Sequence, residues 1–278
     1  MKTLLRILAA AALVASGLVV AAPAAVAAKA PSPRFKHVVV VVMENHSRGQ
    51  VLRSNDAPYL RRLAHRGIDY TNFHAETHPS EPNYLAMFSG STHGVSDDSC
   101  PLSYKSNNLG HQLRVHGYSF AGYSESLPRT GWTGCSQGSY ARKHVPWADF
   151  TDLPRSVNRP FSRFPKHFAK LPTVSFVVPN LDHDMHDGTV AAGDSWVRRH
   201  LGRYATWART HHSLLIVTFD EDDDTARNLI TTIAVGQGVP SRASHRHLTH
   251  YGMLAAIEHI YHLPRIGHAR HARLMPLR

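Results

Sequence analysis

The chain has 278 residues and a formal net charge of +11 at pH 7, with 22 histidines in addition to its lysines and arginines. This length suits one large α/β domain, and the charge favours anionic partners such as phosphate esters, anionic lipids, wall polymers or nucleic acid. Many basic proteins are simply well solvated, and the sequence has no dinucleotide-binding or phosphate-loop motif and no zinc-finger spacing, which argues against a nucleotide-cofactor enzyme and a sequence-specific nucleic-acid reader.

Residues 1–27 have the layout of a secretory signal peptide, with a basic start, an apolar stretch and the small-residue ending Ala25-Val26-Ala27. The mature chain is expected to form a single domain over residues 28–278. An uncleaved anchor is the alternative, although the apolar part is short for a bilayer span. The sequence therefore predicts a secreted protein, extracellular or associated with the cell wall, that keeps no stable membrane anchor after cleavage.

Continuous apolar runs rich in β-branched residues predict strands that are buried on both faces of a parallel sheet. These runs cover residues 35–45, 172–180, 213–221 and 229–236. Helical patterns lie between them, at residues 57–67, 83–90, 195–210 and 249–263. The alternation predicts an α/β fold, a three-layer sandwich with a largely parallel central sheet.

Acidic and amide side chains follow three of the predicted strands where each strand ends. Glu44 and Asn45 follow the first strand, residues 182–187 follow the second, and Asp220 and Glu221 follow the third. In parallel sheets, ligands bind outside the carboxyl ends of the strands, so these groups are expected at one edge. Their hard oxygen atoms suit a divalent cation of unknown identity. For residues 222–224, the alternative is a set of solvated loop acids.

Ser80 lies in the stretch "THPSEPNYLAMFSG", where Pro79 and Pro82 flank the start of a helix. An ordinary helix N-cap is one explanation of this serine. The other is a nucleophile, because the N-terminus of a helix favours an anion and holds phosphoryl oxygens. A serine hydroxyl needs a base or a metal to attack at neutral pH.

Histidines are candidates for the proton transfers, since an imidazole titrates near neutral pH. The candidates are His144, His183, His186 and His250. With 22 histidines in the chain, most must be surface or packing residues. Cys100 and Cys135 are the only cysteines, and an even pair in an exported protein predicts a disulfide.

These motifs together resemble the phosphoesterase family of bacterial acid phosphatases and phospholipases C, which has an alkaline-phosphatase-like fold. The resemblance runs in order from about residue 36 to residue 270. It is carried by Glu44-Asn45, the Ser80-x-Pro82-Asn83 element, His186-Asp187, Asp220-Glu221 and His250. Two departures are the sequence after Ser47 and the His144-Val145-Pro146 element, where the family has His-Asn-Pro.

The resemblance implies a role for each matching residue. Ser80 corresponds to a nucleophile that becomes transiently phosphorylated, and His186 and His250 correspond to catalytic positions near the phosphoryl group. The implied metal ligands are Glu44, Asn45, Asp220 and Glu221. The implied substrate-binding residues are Asn83, His144 and Asp187, and His183 is added to them because it follows the second predicted strand.

The sequence thus predicts a secreted, metal-dependent phosphomonoesterase that hydrolyses phosphate esters through a phosphoserine intermediate. A phospholipase C or another phosphodiesterase with the same site is one alternative. A polyanion-binding protein without catalytic activity is another. No specific nucleic acid partner is expected, and the oligomeric state stays open.

Overall fold

Five consecutive valines, Val38 to Val42, form the centre of the fold. In the computed structural model, which describes residues 32–278, all five are completely buried in the strand His37–Met43. Branching at Cβ favours extended backbone, and full burial of both faces is typical of a parallel sheet covered on its two sides. The predicted signal peptide, residues 1–27, lies outside the described residues. Residues Pro33–Arg278 form one compact unit.

Thirteen strands are present within residues 32–278. They are β1 His37–Met43, β2 Ile68–Tyr70, β3 Phe73–His74, β4 Phe120–Ser124, β5 Ser136–Gln137, β6 Tyr140–Ala141, β7 Asn158–Pro160, β8 Val174–Val178, β9 Ser213–Phe219, β10 Leu229–Ile230, β11 Ile233–Gly236, β12 Arg242–Ser244 and β13 Leu248–Thr249. Eight of them form one sheet in the order β12-β2-β11-β9-β1-β8-β4-β7. Within it, β11 runs antiparallel to both of its neighbours and every other pair is parallel.

The predicted α/β fold with a largely parallel sheet is confirmed, but the run at residues 229–236 is not a single strand. It divides into β10, which pairs with β3 in a small second sheet, and β11, which joins the large sheet. Thr231 and Thr232 form the break, and the Oγ1 atom of Thr232 lies 2.8 Å from that of Thr218. The two threonines are completely buried, so burial alone does not distinguish this break from a continuous strand.

The six α-helices within the described part of the chain pack in two groups. They are α1 Arg48–Leu52, α2 Pro58–Arg66, α3 Ser80–Ser89, α4 Leu109–Val115, α5 Val190–Ala208 and α6 His250–Ile260. Helices α2 and α5 contact each other and the sheet, whereas α3 contacts both α4 and α6. Helix α3 ends at Gly90, whose φ of 73° is in the left-handed region that glycine adopts without strain. Within residues 32–278, no helix combines the length and the hydrophobicity needed to cross a bilayer.

The two cysteines form the predicted disulfide, which closes a sequence separation of 35 residues between Cys100 and Cys135. Cys135 precedes the β5–β6 hairpin, and its carbonyl accepts a hydrogen bond from the N–H of Arg142 at 2.8 Å. The disulfide therefore joins the loop after α3 to the segment that leads into the short 3-10 helix Arg142–His144.

Loss of this disulfide should lower the free energy of unfolding by about 3 to 4 kcal/mol, because the crosslink restricts the unfolded chain. We expect this loss in a Cys100→Ser/Cys135→Ser variant, measured by denaturant unfolding under oxidising conditions. Reduced wild-type protein is the control that keeps both cysteine side chains. A loss below about 1 kcal/mol would contradict this estimate.

Candidate active site

The strand register places two carboxylates side by side at the carboxyl edge of the sheet. Met43 of β1 is paired with Phe219 of β9, so the residues that follow them, Glu44 and Asp220, leave the sheet as neighbours. The N–H of Asp220 donates to the carbonyl of Met43 at 2.9 Å. Both acidic side chains are completely buried. The acidic side chains that follow β1 and β9 therefore meet at the carboxyl edge of the sheet, as predicted.

Asn45 and Glu221 extend this pair. Asn45 has a φ of 48°, a left-handed conformation that asparagine adopts more readily than most residues, and its N–H donates to Oδ1 of Asp220 at 3.2 Å. Glu221 is buried next to Asp220 in sequence, and its Oε2 accepts a bond from the Asn83 side chain at 3.3 Å. The four predicted metal ligands thus lie in one cluster with Ser80.

Ser80 is the first residue of α3, and Pro79 rather than Ser80 occupies the N-cap position. The side chain points at the acidic cluster. Its Oγ lies 3.1 Å from Oε2 of Glu44, 3.1 Å from Oε1 of Glu221 and 3.4 Å from Oδ1 of Asn45. Ser80 is only 1% exposed. The hydroxyl is therefore not used as a helix cap, and it faces three oxygen acceptors.

These oxygens fit a cation. A hydroxyl has one proton, so Ser80 can donate to only one of its three acceptors. In the described part of the chain, the buried Oδ2 of Asp220 has no hydrogen-bond partner. The cluster thus has more oxygen acceptors than hydrogen-bond donors. Carboxylate, amide and hydroxyl oxygens are the ligands that hard divalent cations prefer.

The pKa values of the clustered carboxylates also favour a bound cation. Burial and the neighbouring acids Asp220 and Asp184 raise the pKa of Glu44 well above its usual range. Burial raises the pKa of Asp220 to about 6, and burial together with Asp220 raises that of Glu221 to about 9. The carboxylates therefore oppose one another's ionisation, and a bound cation would relieve this repulsion.

Glu44 also belongs to a second group of side chains that could hold a metal ion. Glu44, His144 and Asp184 are all buried and each offers a ligand atom within 4.8 Å of the others. Nε2 of His144 lies 3.3 Å from Oε2 of Glu44, and Nδ1 lies 3.4 Å from Oδ2 of Asp184, but neither contact has the geometry of a hydrogen bond. The Tyr84 hydroxyl donates to Glu44, and the Tyr84 ring stacks on His144 with a centroid separation of 5.1 Å. Burial, Lys143 and His186 keep the pKa of His144 well below its usual range, which favours the neutral, ligating form.

His186 lies at the more exposed side of the cluster. Its Nδ1 is 2.7 Å from Oδ1 of Asp187, and its Nε2 is 3.3 Å from Nζ of Lys143. The ring centroid of His144 is 5.8 Å away. His186 and Asp187 thus form a pair that reaches the site from the loop after β8.

The other predicted residues have different surroundings. His250 is completely buried, and its Nε2 donates to the carbonyl of Asp220 at 2.7 Å. Burial lowers the pKa of His250 to about 4, so the ring is neutral. The Asn83 side chain accepts from the N–H groups of Glu76 and Thr77 and donates to Thr77 and Pro79.

His183 contacts a different acid from those around Ser80. Its Nδ1 is 3.0 Å from Oε2 of Glu125. The predicted roles of His183, Asn83 and His250 in substrate binding and catalysis stay predictions.

The last three acids of the run at residues 220–224 do not share one environment. Asp222 is buried and accepts bonds from the N–H groups of Asp224 and Ala226, so it shapes the turn. The side chain of Asp224 is 82% exposed and lies 3.2 Å from Nε2 of His78. His78 also contacts Glu221 and Asp222.

Sequence patterns do not single out four residues around this cluster, namely Tyr84, Asp98, Lys143 and Asp184. Asp184 falls within the acidic stretch after β8, but nothing in the sequence distinguishes it there from Asp182. Tyr84 has the appearance of an ordinary core residue in an apolar helix.

The chain belongs to the Phosphoesterase family, whose sequence profile matches residues 50–264. This membership confirms the prediction of a hydrolase that acts on phosphoester bonds. The match begins after Glu44 and Asn45, so the prediction that these two residues are metal ligands is supported only by the structure and by the sequence resemblance.

Among characterised proteins, the chain is similar to a phosphatidylinositol-3-phosphatase of Mycobacterium tuberculosis, with 49% identity over 86% of this chain and 81% of that protein. It is also similar to an acid phosphatase of Aspergillus fumigatus, with 29% identity over 75% of this chain. The alignment spans only 51% of the fungal protein. Among solved structures, a protein in the alkaline phosphatase superfamily from Vibrio parahaemolyticus has a TM-score of 0.57 at 13% identity, covering 84% of this chain and 68% of its own. That likeness confirms the predicted alkaline-phosphatase-like fold.

If the cluster holds a cation, Asp220→Asn should have opposite effects on the metal-free and metal-loaded proteins. In chelator, the variant should melt at a higher temperature than wild type, because a neutral amide replaces a buried carboxylate among other acids. A divalent cation at 100-fold its Kd should stabilise wild type by about 2.7 kcal/mol and leave the variant unchanged.

Thermal unfolding with chelator and then with Mg²⁺, Mn²⁺, Zn²⁺ or Ca²⁺ measures both effects. Asp224→Asn is the matched control, since it removes one exposed acid from the same run and should behave as wild type. A wild-type melting temperature that no cation raises would contradict the assignment.

Proposed function

We propose that the protein is a secreted, metal-dependent phosphomonoesterase that transfers the phosphoryl group of its substrate first to Ser80 and then to water. The observation that carries this proposal is the position of the Ser80 hydroxyl, which begins α3 and faces the oxygens of Glu44, Asn45 and Glu221. A serine in such surroundings can be deprotonated, and the start of a helix favours the negative charge of a phosphoryl group.

In the first step, Oγ of Ser80 forms a bond to phosphorus as the bond between phosphorus and the leaving oxygen breaks. The serine proton passes to a carboxylate oxygen that already accepts its hydrogen bond, on Glu44 or Glu221. His186, whose Nδ1 lies 2.7 Å from Oδ1 of Asp187, donates a proton to the leaving alkoxide. In the second step, His186 takes a proton from the attacking water as the serine–phosphorus bond breaks, and the carboxyl group that accepted the serine proton returns it to Oγ of Ser80.

Glu44, Asn45, Asp220 and Glu221 are the residues that would hold a divalent cation beside Ser80. When bound, the cation would lower the pKa of the serine hydroxyl and offset the charge of the phosphoryl oxygens. Glu44, His144 and Asp184 offer a second set of ligand atoms, and Glu44 belongs to both sets. The bond from His250 to the Asp220 carbonyl supports a positioning role for His250 in the same assembly.

The names of the similar proteins support phosphate monoesters as the substrate class. One of these proteins is named for removal of a phosphate from phosphatidylinositol 3-phosphate, and another is an acid phosphatase. Both activities release inorganic phosphate. The net charge of +11 also favours anionic substrates, including phosphorylated lipid headgroups.

We propose that the protein is secreted. The disulfide between Cys100 and Cys135 supports it, because disulfides persist in oxidising compartments. In this proposal, residues 1–27 are a cleaved signal peptide and residues 28–278 are the single catalytic domain.

Ser80→Ala should reduce the turnover of a chromogenic phosphate monoester by at least about a thousandfold, because it removes the nucleophile and leaves the fold intact. Ser89→Ala is the matched control. Ser89 lies in the same helix, its Oγ donates to the carbonyl of Leu85, and its loss should preserve turnover.

The activity of both variants is measured as phosphate release between pH 4 and 9, with and without chelator. A phosphodiester and a phospholipid assayed in parallel test the diesterase alternative. Ser80→Ala protein with wild-type turnover would contradict the mechanism, and hydrolysis of the diester alone would redirect it to phospholipase-type substrates.

A further inference from the structure

An ion pair that the proposed steps do not use lies at the open side of the site. Nζ of Lys143 is 2.8 Å from Oδ2 of Asp98 and 3.3 Å from Nε2 of His186. The two charged side chains are partly exposed, Lys143 by 20% and Asp98 by 31%, whereas Ser80 is 1% exposed. The pair therefore lies beside His186 and is more exposed than Ser80.

The other oxygen of Asp98 accepts a backbone bond next to the proposed nucleophile. Oδ1 of Asp98 is 3.0 Å from the N–H of Glu81, the residue after Ser80 in the first turn of α3. Free N–H groups in the first turn of a helix bind anions, and phosphoryl oxygens are common ligands there. In this structure the Asp98 carboxylate is the anion at that position.

Asp98 also lies near two further acids. Burial raises the pKa of Glu221 and of Glu81, and the negative charge of Asp98 raises each of them further. Lys143 offsets this charge. The same two donors, an ammonium group and a helix N–H, would suit a phosphoryl group as well as a carboxylate, since both anions accept charge-assisted hydrogen bonds.

The disulfide holds the two partners together. Asp98 is two residues before Cys100, and Lys143 lies in the 3-10 helix that follows the hairpin after Cys135. Lys143 and Asp98 belong to segments that are 45 residues apart in sequence, yet the disulfide joins these segments directly. The pair is thus a built part of the site.

We propose that Lys143 and the N–H of Glu81 bind the phosphoryl group of the substrate, and that the Asp98 carboxylate occupies this place in the free enzyme and is displaced when substrate binds. This inference rests on the proposed phosphomonoesterase function. It assigns Lys143 as a substrate-binding residue and Asp98 as an internal competitor that weakens the affinity for phosphate.

The two partners should then have opposite effects on phosphate affinity. Lys143→Met should weaken the binding of inorganic phosphate by at least about tenfold and raise KM for a monoester in parallel, because a charged donor is lost. Lys143→Arg should recover part of this loss. Asp98→Asn should tighten phosphate binding and lower KM by about three- to tenfold, because the competing charge is removed.

Calorimetric titration of the full mature protein with inorganic phosphate measures the affinity directly, in the presence of the cation among Mg²⁺, Mn²⁺, Zn²⁺ and Ca²⁺ that most raises its melting temperature. Asp97→Asn is the matched control. Asp97 is the preceding residue, it is exposed, and its Oδ1 accepts from the N–H of Ser99, so its removal makes the same change in net charge at a site away from α3. Thermal unfolding verifies that each variant is folded.

Weaker phosphate binding in both Asp98→Asn and Lys143→Met would overturn the proposal, since Asp98 would then only orient the lysine. Equal tightening in Asp97→Asn would overturn it as a general charge effect, and wild-type protein that binds no phosphate would also overturn it. Wild-type protein that binds phosphate with the expected order of variants but hydrolyses no monoester would refute the proposed function alone. Normal hydrolysis with unchanged phosphate affinity in all variants would refute this inference alone.

Discussion

The burial of several carboxylates around one serine hydroxyl is the constraint on which the rest of the structure depends. Pairing of β1 with β9 brings Glu44 and Asp220 together, and Glu221 and Asp184 add further acids at the same edge. Such a group is unfavourable at neutral pH unless protons or a cation offset the charge. A protein that bears a net charge of +11 overall therefore concentrates its buried negative charge at the site where the proposed cation would bind.

The surrounding elements fix this group. Helix α3 presents Ser80 from its first turn, and Asn83 on the same helix ties the preceding loop to Glu221. Tyr84, one residue further on, donates to Glu44 and packs on His144. One short helix thus supplies the proposed nucleophile and two of the groups that hold the acids in place. The disulfide-linked segments bring Asp98 to the first turn of the same helix and Lys143 next to His186.

Sequence patterns predict the fold and the centre of the site because both depend on local signals. Five valines in succession indicate a doubly buried strand, and the polar residues directly after such a strand must lie at its carboxyl edge. The parts of the site that the sequence does not predict depend on contacts between residues far apart in the chain. Asp184 becomes distinct only because its loop returns to Glu44, whose N–H donates to the Asp184 carbonyl at 2.8 Å. Lys143 and Asp98 meet only through the fold, and the break at Thr231 and Thr232 follows from pairing with two different sheets.

The most direct test of the account is to trap the phosphoryl group on the enzyme. Wild-type protein mixed with a phosphate monoester and quenched in acid within its first turnovers should carry a phosphoryl group on the peptide that contains Ser80, identified by mass spectrometry after digestion. Phosphoserine is stable in acid, so the intermediate should survive the quench. An active enzyme that carries the phosphoryl group on another residue, or on none at any quench time, would contradict the proposal that Ser80 is the nucleophile.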